Sequence, residues 1–252
     1  MNDQKNTWIY GIVPAGAELH EIERREGLPE VWVIESGDLG AIVGDAPQGD
    51  GKATRDQALA HARVLEAAVV DAPVVPMRFG VMVPGGDDAV GSELLEPHHD
   101  DFAKLLERLQ DRLQLTLKAY YQEQQVLREI LESQPEVAQL REQTRQSPEA
   151  ATRDARMQLG EMINNAVQQL RERDSANILE QLKPLADAVS VEGLEKEFMV
   201  LNAAFLVSHD RAQEFEDEAE KMAEDQQERI QFTLLGPMPA YNFVDTEQAA
   251  WA

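Results

Sequence analysis

The chain lacks cysteine altogether, which excludes disulfides, thiolate metal sites and cysteine nucleophiles. Basic residues are scarce: 23 lysines and arginines stand against 47 aspartates and glutamates in 252 residues, for a net charge of −24. Such a field repels nucleic-acid phosphate and anionic lipid, and no local basic patch offsets it. Neither nucleic acid nor a membrane is therefore expected as a partner. No apolar run approaches the roughly 18 to 20 residues that span a bilayer. Residues 1–6 are polar and pass directly into a strand-like run, unlike a secretory signal, so a cytoplasmic location is expected.

Signatures of common enzyme chemistry are missing as well. None of the histidines, His20, His61, His98, His99 and His209, falls in an HExxH arrangement. The glycines lack P-loop spacing, and no GxGxxG opens a helix after the first strand. Ser208, His209 and Asp210 are adjacent, but adjacency does not build a triad, and Ser208 reads as a helix cap. His98-His99-Asp100-Asp101 has metal-ligand residue types, yet neighbours along a helix point in different directions. His61 reads as a polar edge residue beside the apolar stripe of its helix. No catalytic residue, cofactor or metal site is expected.

What is present is an ordinary hydrophobic content of 43%, enough for a folded chain, and a length that suggests two domains of about 100 to 150 residues. Residues 7–13 form a strand that stops at Pro14. A short helix or irregular connection at 17–25 precedes two strands flanking the turn Ser36-Gly37-Asp38. Residues 47–53 are a Gly- and Pro-rich loop, and Thr54 with Gln57 has capping-box spacing before a helix that runs to about Asp71. That helix feeds a strand at 74–83. Strand, short helix, hairpin, helix and strand is the order of the ferredoxin-like split unit.

A helix at 92–112 then leads to a domain boundary, giving 1–112 and 113–252. In the second part a strand at 113–121 is followed by helices over about 122–183, broken at Gln146-Ser147-Pro148 and patterned for coiled-coil-like packing. Strands at 189–191 and 198–207, an acidic helix from Ser208 to about Gln227 and a strand at 230–234 repeat the first order. The expected class is α+β, with two ferredoxin-like α/β-sandwich domains and a helical extension on the second.

Two stretches stand out. In VVPMRFGVMV, residues 74–83, the apolar side chains of Val75, Met77, Phe79, Val81 and Val83 alternate onto a core face. Arg78 shares the other face with Pro76 and Gly80. It is either a surface arginine whose stem covers apolar area, or an anchor for a carboxylate on a neighbouring element or a partner. In LGPMPAYNFV, residues 235–244, two prolines force an extended path, and Met238, Tyr241 and Phe243 offer large apolar groups. This tail either covers its own domain or forms a partner-binding strip, and the two are compatible.

Together with the opening WIYGIV and the helical LNAAFLVSHDRAQEFEDEAEKMAED, these stretches resemble the gas vesicle protein GvpF/GvpL family across nearly the whole chain. PMRFG is similar to the family's P-x-R-F-G core. GPMPAYNF resembles its GP-W-P-P-Y-x-F ending, with Met238 in place of the tryptophan and Ala240 in place of the second paired proline. Gly236, Pro237, Pro239, Tyr241 and Phe243 are kept. The resemblance implies a non-enzymatic vesicle protein of two α+β domains, the first a modified ferredoxin-like fold. It also implies a minor component or assembly factor that associates with the shell protein GvpA and other accessory Gvp proteins. The competing readings are a small-ligand sensor built on tandem ferredoxin-like domains and a metal-dependent hydrolase around His98.

Overall fold

Aromatic and β-branched side chains open the chain as β1 (Asn6–Pro14), buried from Thr7 to Val13. The computed structural model describes residues 6–46, 54–148 and 152–244. β1 leads through α1 (His20–Arg24) to a hairpin of β2 (Trp32–Ser36) and β3 (Leu39–Asp45). The expected loop at 47–53 lies outside the described residues. The capping box forms as its spacing predicts: the Thr54 hydroxyl accepts from the Gln57 backbone N–H, and the Gln57 side chain accepts from the Thr54 N–H. It starts α2 (Arg55–Asp71).

The stretch 74–83 is not one strand. Val75 and Pro76 form β4 (Val75–Pro76) against Ile12 and Gly11, while β5 (Met82–Pro84) pairs with Trp8, Thr7 and Asn6. Between them the chain turns: the Arg78 carbonyl accepts from the Val81 N–H at 3.3 Å, and Gly80 takes φ +99°. Those are the features of a turn with glycine at its third position, where a side chain would be strained. Phe79 and Val81 are consequently half-buried, Val75, Met77 and Val83 buried. Arg78 occupies a turn corner instead of a strand face. Pro76 sits on the outermost path strand, where a missing N–H is tolerated.

The helix expected at 92–112 starts earlier, with α3 (Asp87–Ala89), continues at π-helical pitch over Val90–Leu95, and ends in α4 (His99–Leu109). It stops because Gln110 is extended, ψ 132°, and Asp111 adopts φ +55°, a conformation aspartate tolerates better than most side chains. The first sheet has the order β2-β3-β1-β4, with β5 also on β1, and all its pairings are antiparallel.

The remaining elements are β6 (Arg112–Tyr121), α5 (Glu123–Ser133), α6 (Pro135–Gln146), α7 (Arg153–Leu182), β7 (Ala188–Val191), β8 (Met199–Ser208), α8 (Ala212–Gln226) and β9 (Ile230–Met238). Their sheet has the order β7-β8-β6-β9. Pro135 begins α6, where its missing N–H costs nothing. Ser208 is not a helix cap. It ends β8, a 3-10 turn over His209–Arg211 intervenes, and Arg211 occupies the N-cap of α8. β9 likewise continues past Leu234 through Gly236 and Pro237. Among the described residues, no helix is long and apolar enough to cross a membrane.

Contacts divide the molecule into two units: one up to Leu115 with Leu206–His209 and the segment from Gly236, the other Thr116–Phe205 with Asp210–Leu235. In the first, Trp8, Tyr10 and Val13 pack on Val64, Leu65, Ala67 and Ala68 of α2. A bulge between Ile9 and Gly11 shifts the strand's alternation, so Val13 joins Trp8 and Tyr10 in that layer. Gly11 permits the approach, since a Cβ there would lie 2.8 Å from both Leu65 and Val74.

Candidate functional site

The PMRFG turn is held from below by His61, which is 3% exposed on α2. The Trp8 indole N–H, which can only donate, reaches His61 Nδ1 at 3.1 Å. That nitrogen must therefore be the acceptor, so the proton sits on Nε2, which donates to the Met77 carbonyl at 3.0 Å. The Met77 N–H donates in turn to the Tyr10 carbonyl at 2.9 Å. Tyr10 stacks on the imidazole with ring centroids 5.1 Å apart, and Phe79 meets Trp8 and His61 edge-on at 5.1 and 5.8 Å. Burial holds the His61 pKa below its ordinary value, only partly opposed by the bond to Met77.

His61 is thus the centre of a network, not the polar edge residue expected from sequence. Its spacing of three, four and seven residues before the buried Val64, Leu65 and Ala68 was the available signal. Pro76, Phe79 and Gly80 come together here as strand end, ring and turn residue. Arg78 is exposed at the corner of the turn.

The closing strip is latched separately. Gln114, 1% exposed, donates from Nε2 to Asn242 Oδ1 at 2.7 Å and accepts from the Asn242 N–H at 3.1 Å. The same amide lies 3.4 Å from Met238 Sδ. Pro239, Ala240, Phe243 and Val244 are buried, while Met238 is half-buried and Asn242 exposed. Tyr241 remains 41% exposed. Partial burial, then the negative charge of Glu66, push its hydroxyl pKa up to about 12. Gly236, at φ +135°, passes so close to β6 that a Cβ would lie 2.8 Å from the Gln114 carbonyl. Gly236→Ala is therefore expected to lower stability by about 2 kcal/mol or more, read as a fall in Tm, since neither backbone can yield.

A charged cluster in the second unit was not foreseen. Asp174 of α7, 6% exposed, accepts from the Tyr121 hydroxyl at 2.6 Å, Arg229 Nη2 at 2.6 Å and Arg173 Nε at 3.0 Å. Arg229 also donates to Glu129 of α5 at 2.6 Å, and its guanidinium lies 5.3 Å from the Tyr121 ring centre. Burial alone would raise the Asp174 pKa, but the bonds from Arg229, Tyr121 and Arg173 outweigh it and hold the carboxyl below its ordinary value. Burial, then the bond to Asp174, raise Tyr121. The cluster ties α5 and α7 to β6 and the start of β9.

The histidine and acid run near His98 does not converge. His98 packs edge-on against Phe102 at 6.1 Å, and His99 pairs with Asp38 at 2.5 Å and Asp100 at 3.1 Å. Among the described residues, no group of three or more acidic or histidine side chains is placed to hold a metal ion.

These features define a two-sheet α+β protein whose most distinctive sequence stretches are latched into its first unit. The family model described as gas vesicle synthesis protein GvpL/GvpF matches residues 6–245, and the chain belongs to that family. It is 33% identical over 244 residues to gas vesicle protein F of Streptomyces sp. (strain CB03234), covering 95% of this chain and 100% of the relative. Identity to gas vesicle protein L of the same strain is 26%, over 92% of this chain and 88% of that one. The crystal structure of GvpF from Anabaena sp. PCC7120 has the same fold, with a TM-score of 0.79 at 22% identity over 95% of this chain and 98% of the other.

Proposed function

We propose that the chain is a non-enzymatic gas vesicle protein, a minor component or assembly factor of F-like type. In this reading it binds the shell protein GvpA and other accessory Gvp proteins during vesicle formation. The observation that carries the reading is the closing strip: Phe243 and Val244 are buried while Met238 and Tyr241 keep exposed surface on a backbone already fixed by Gln114. A preordered pair of apolar side chains loses little entropy on binding. Arg78, exposed on the turn, supplies a guanidinium for an acidic group of a partner. The net charge of −24 keeps a complex with an apolar shell subunit soluble.

The architecture fits two ferredoxin-like domains divided near residues 112 and 113, the second carrying α5 to α7 as its helical extension. In both sheets the first strand in sequence lies between the fourth and the third, β4-β1-β3-β2 and β9-β6-β8-β7. The test is a pull-down of GvpA by the chain and by a Met238→Ala/Tyr241→Ala variant. Met238 is half-buried and Tyr241 is 41% exposed, so the variant is expected to stay folded and to retain about tenfold less GvpA or lower. Undiminished capture by the variant would remove the strip from the contact.

A further inference from the structure

A sheet edge is a row of unpaired backbone donors and acceptors, and folded proteins shield such rows by shortness, charge or cover. Three edges here are shielded. β2 carries exposed Glu35 and packs against the π-helical segment, just past whose end Glu96 accepts from the Ser36 hydroxyl at 3.4 Å. On the other side of the first sheet, β4 and β5 have two and three residues. β7 has four residues, flanked by Asp187 and Glu192.

β9 has none of these devices over residues 230–235. It is nine residues long, carries no charge in a chain that is 28% charged, and among the described residues pairs only with β6. Gln231, Thr233 and Leu235 are exposed along one face. The approach to its first residue is acidic: Glu228 is exposed just before the strand, and Glu224 and Asp225 are exposed at the end of α8, which leads into it.

We propose that the edge of β9 at residues 230–235 is a strand-addition site for an extended, uncharged, β-prone segment of a partner protein, flanked by lysine or arginine. The backbone ladder supplies the attraction, the uncharged edge admits the segment, and the acidic flank selects its charge. A second copy of this chain is a poor occupant, because pairing two such edges brings together two chains of −24. The inference goes beyond the assembly role proposed above and does not depend on Met238 or Tyr241.

The probe is a labelled synthetic peptide of about nine alternating valines and threonines with a lysine pair at each end, titrated against the full chain. Two further peptides carry N-methyl groups on alternate amides, in opposite phases. Strand addition predicts saturable binding, loss of about tenfold or more in affinity for one methylated phase only, and slowed amide exchange at 230–235. Absence of saturable binding, or equal effects of the two phases, overturns the proposal. So does a dimer of the chain alone that disappears in Gln231→Lys/Thr233→Lys. A chain that fails with the peptides yet still captures GvpA loses this site and keeps the assembly role.

Discussion

Replacing Asp174 by alanine is expected to lower the unfolding free energy by about 3–5 kcal/mol. The carboxylate accepts from Arg229, Arg173 and Tyr121 at 2.6 to 3.0 Å, and its removal leaves the half-buried Arg229 and the buried Tyr121 hydroxyl without that acceptor. Breaking a buried pair from one side costs more than the pair contributes, because the remaining charge cannot recover its water. Glu129→Gln provides the contrast. Its side chain is 33% exposed, solvent screens much of the attraction to Arg229, and a loss of about 1 kcal/mol or less is expected. Urea midpoints at neutral pH check both. Asp174 also sets an acid limit. Its folded pKa is depressed, so its contribution is present above the ordinary carboxylate value and is lost as pH falls through the folded one.

His61→Phe is expected to produce the second large effect. It keeps an aromatic ring but removes the acceptor for the Trp8 indole and the donor to Met77. Each buried polar group left unpaired costs about 1–3 kcal/mol. The pH dependence separates this loss from a packing defect. The folded pKa of His61 lies below its unfolded value of 6.5, so the unfolded chain takes up the proton first. Stability from neutral His61 is complete above pH 6.5 and declines as pH falls through the folded value. His99, whose pKa is raised chiefly by its bond to Asp38, acts in the opposite sense, losing its contribution as pH rises. Between about pH 7.5 and about pH 5.5, the excess of the parent's urea midpoint over the variant's should shrink as His61 loses its contribution. An equal slope in both would mean that His61 is not the group responsible.

The order of elements was legible because it rests on local rules. Thr54 and Gln57 announce α2 through their spacing, and Ser36-Gly37-Asp38 announces the hairpin. The split of 74–83 was not legible: alternation continues straight through Phe79, and only the positive φ available to Gly80 makes a turn cheaper than a strand. Nor was the Asp174 cluster, whose members lie 53 and 55 positions from Asp174 at Tyr121 and Arg229 and which periodicity within a helix cannot connect. Ser208 has the side chain of a cap, but the strand hydrogen bonds carry on through it, with the His209 N–H donating to Asp111 at 2.9 Å. The closing strip was legible as a run of large apolar groups, but the direction each takes was not: Phe243 is buried and Tyr241 keeps exposed surface.

The role proposed for this chain is to hold GvpA in soluble complexes before the shell closes. Sedimentation of GvpA from cells that make it with and without the chain tests that claim most directly. GvpA is expected in the supernatant, bound to the chain, when both are present, and in the pellet when GvpA is made alone. GvpA that pellets equally in both cases, with the chain left folded and unbound in the supernatant, would contradict it.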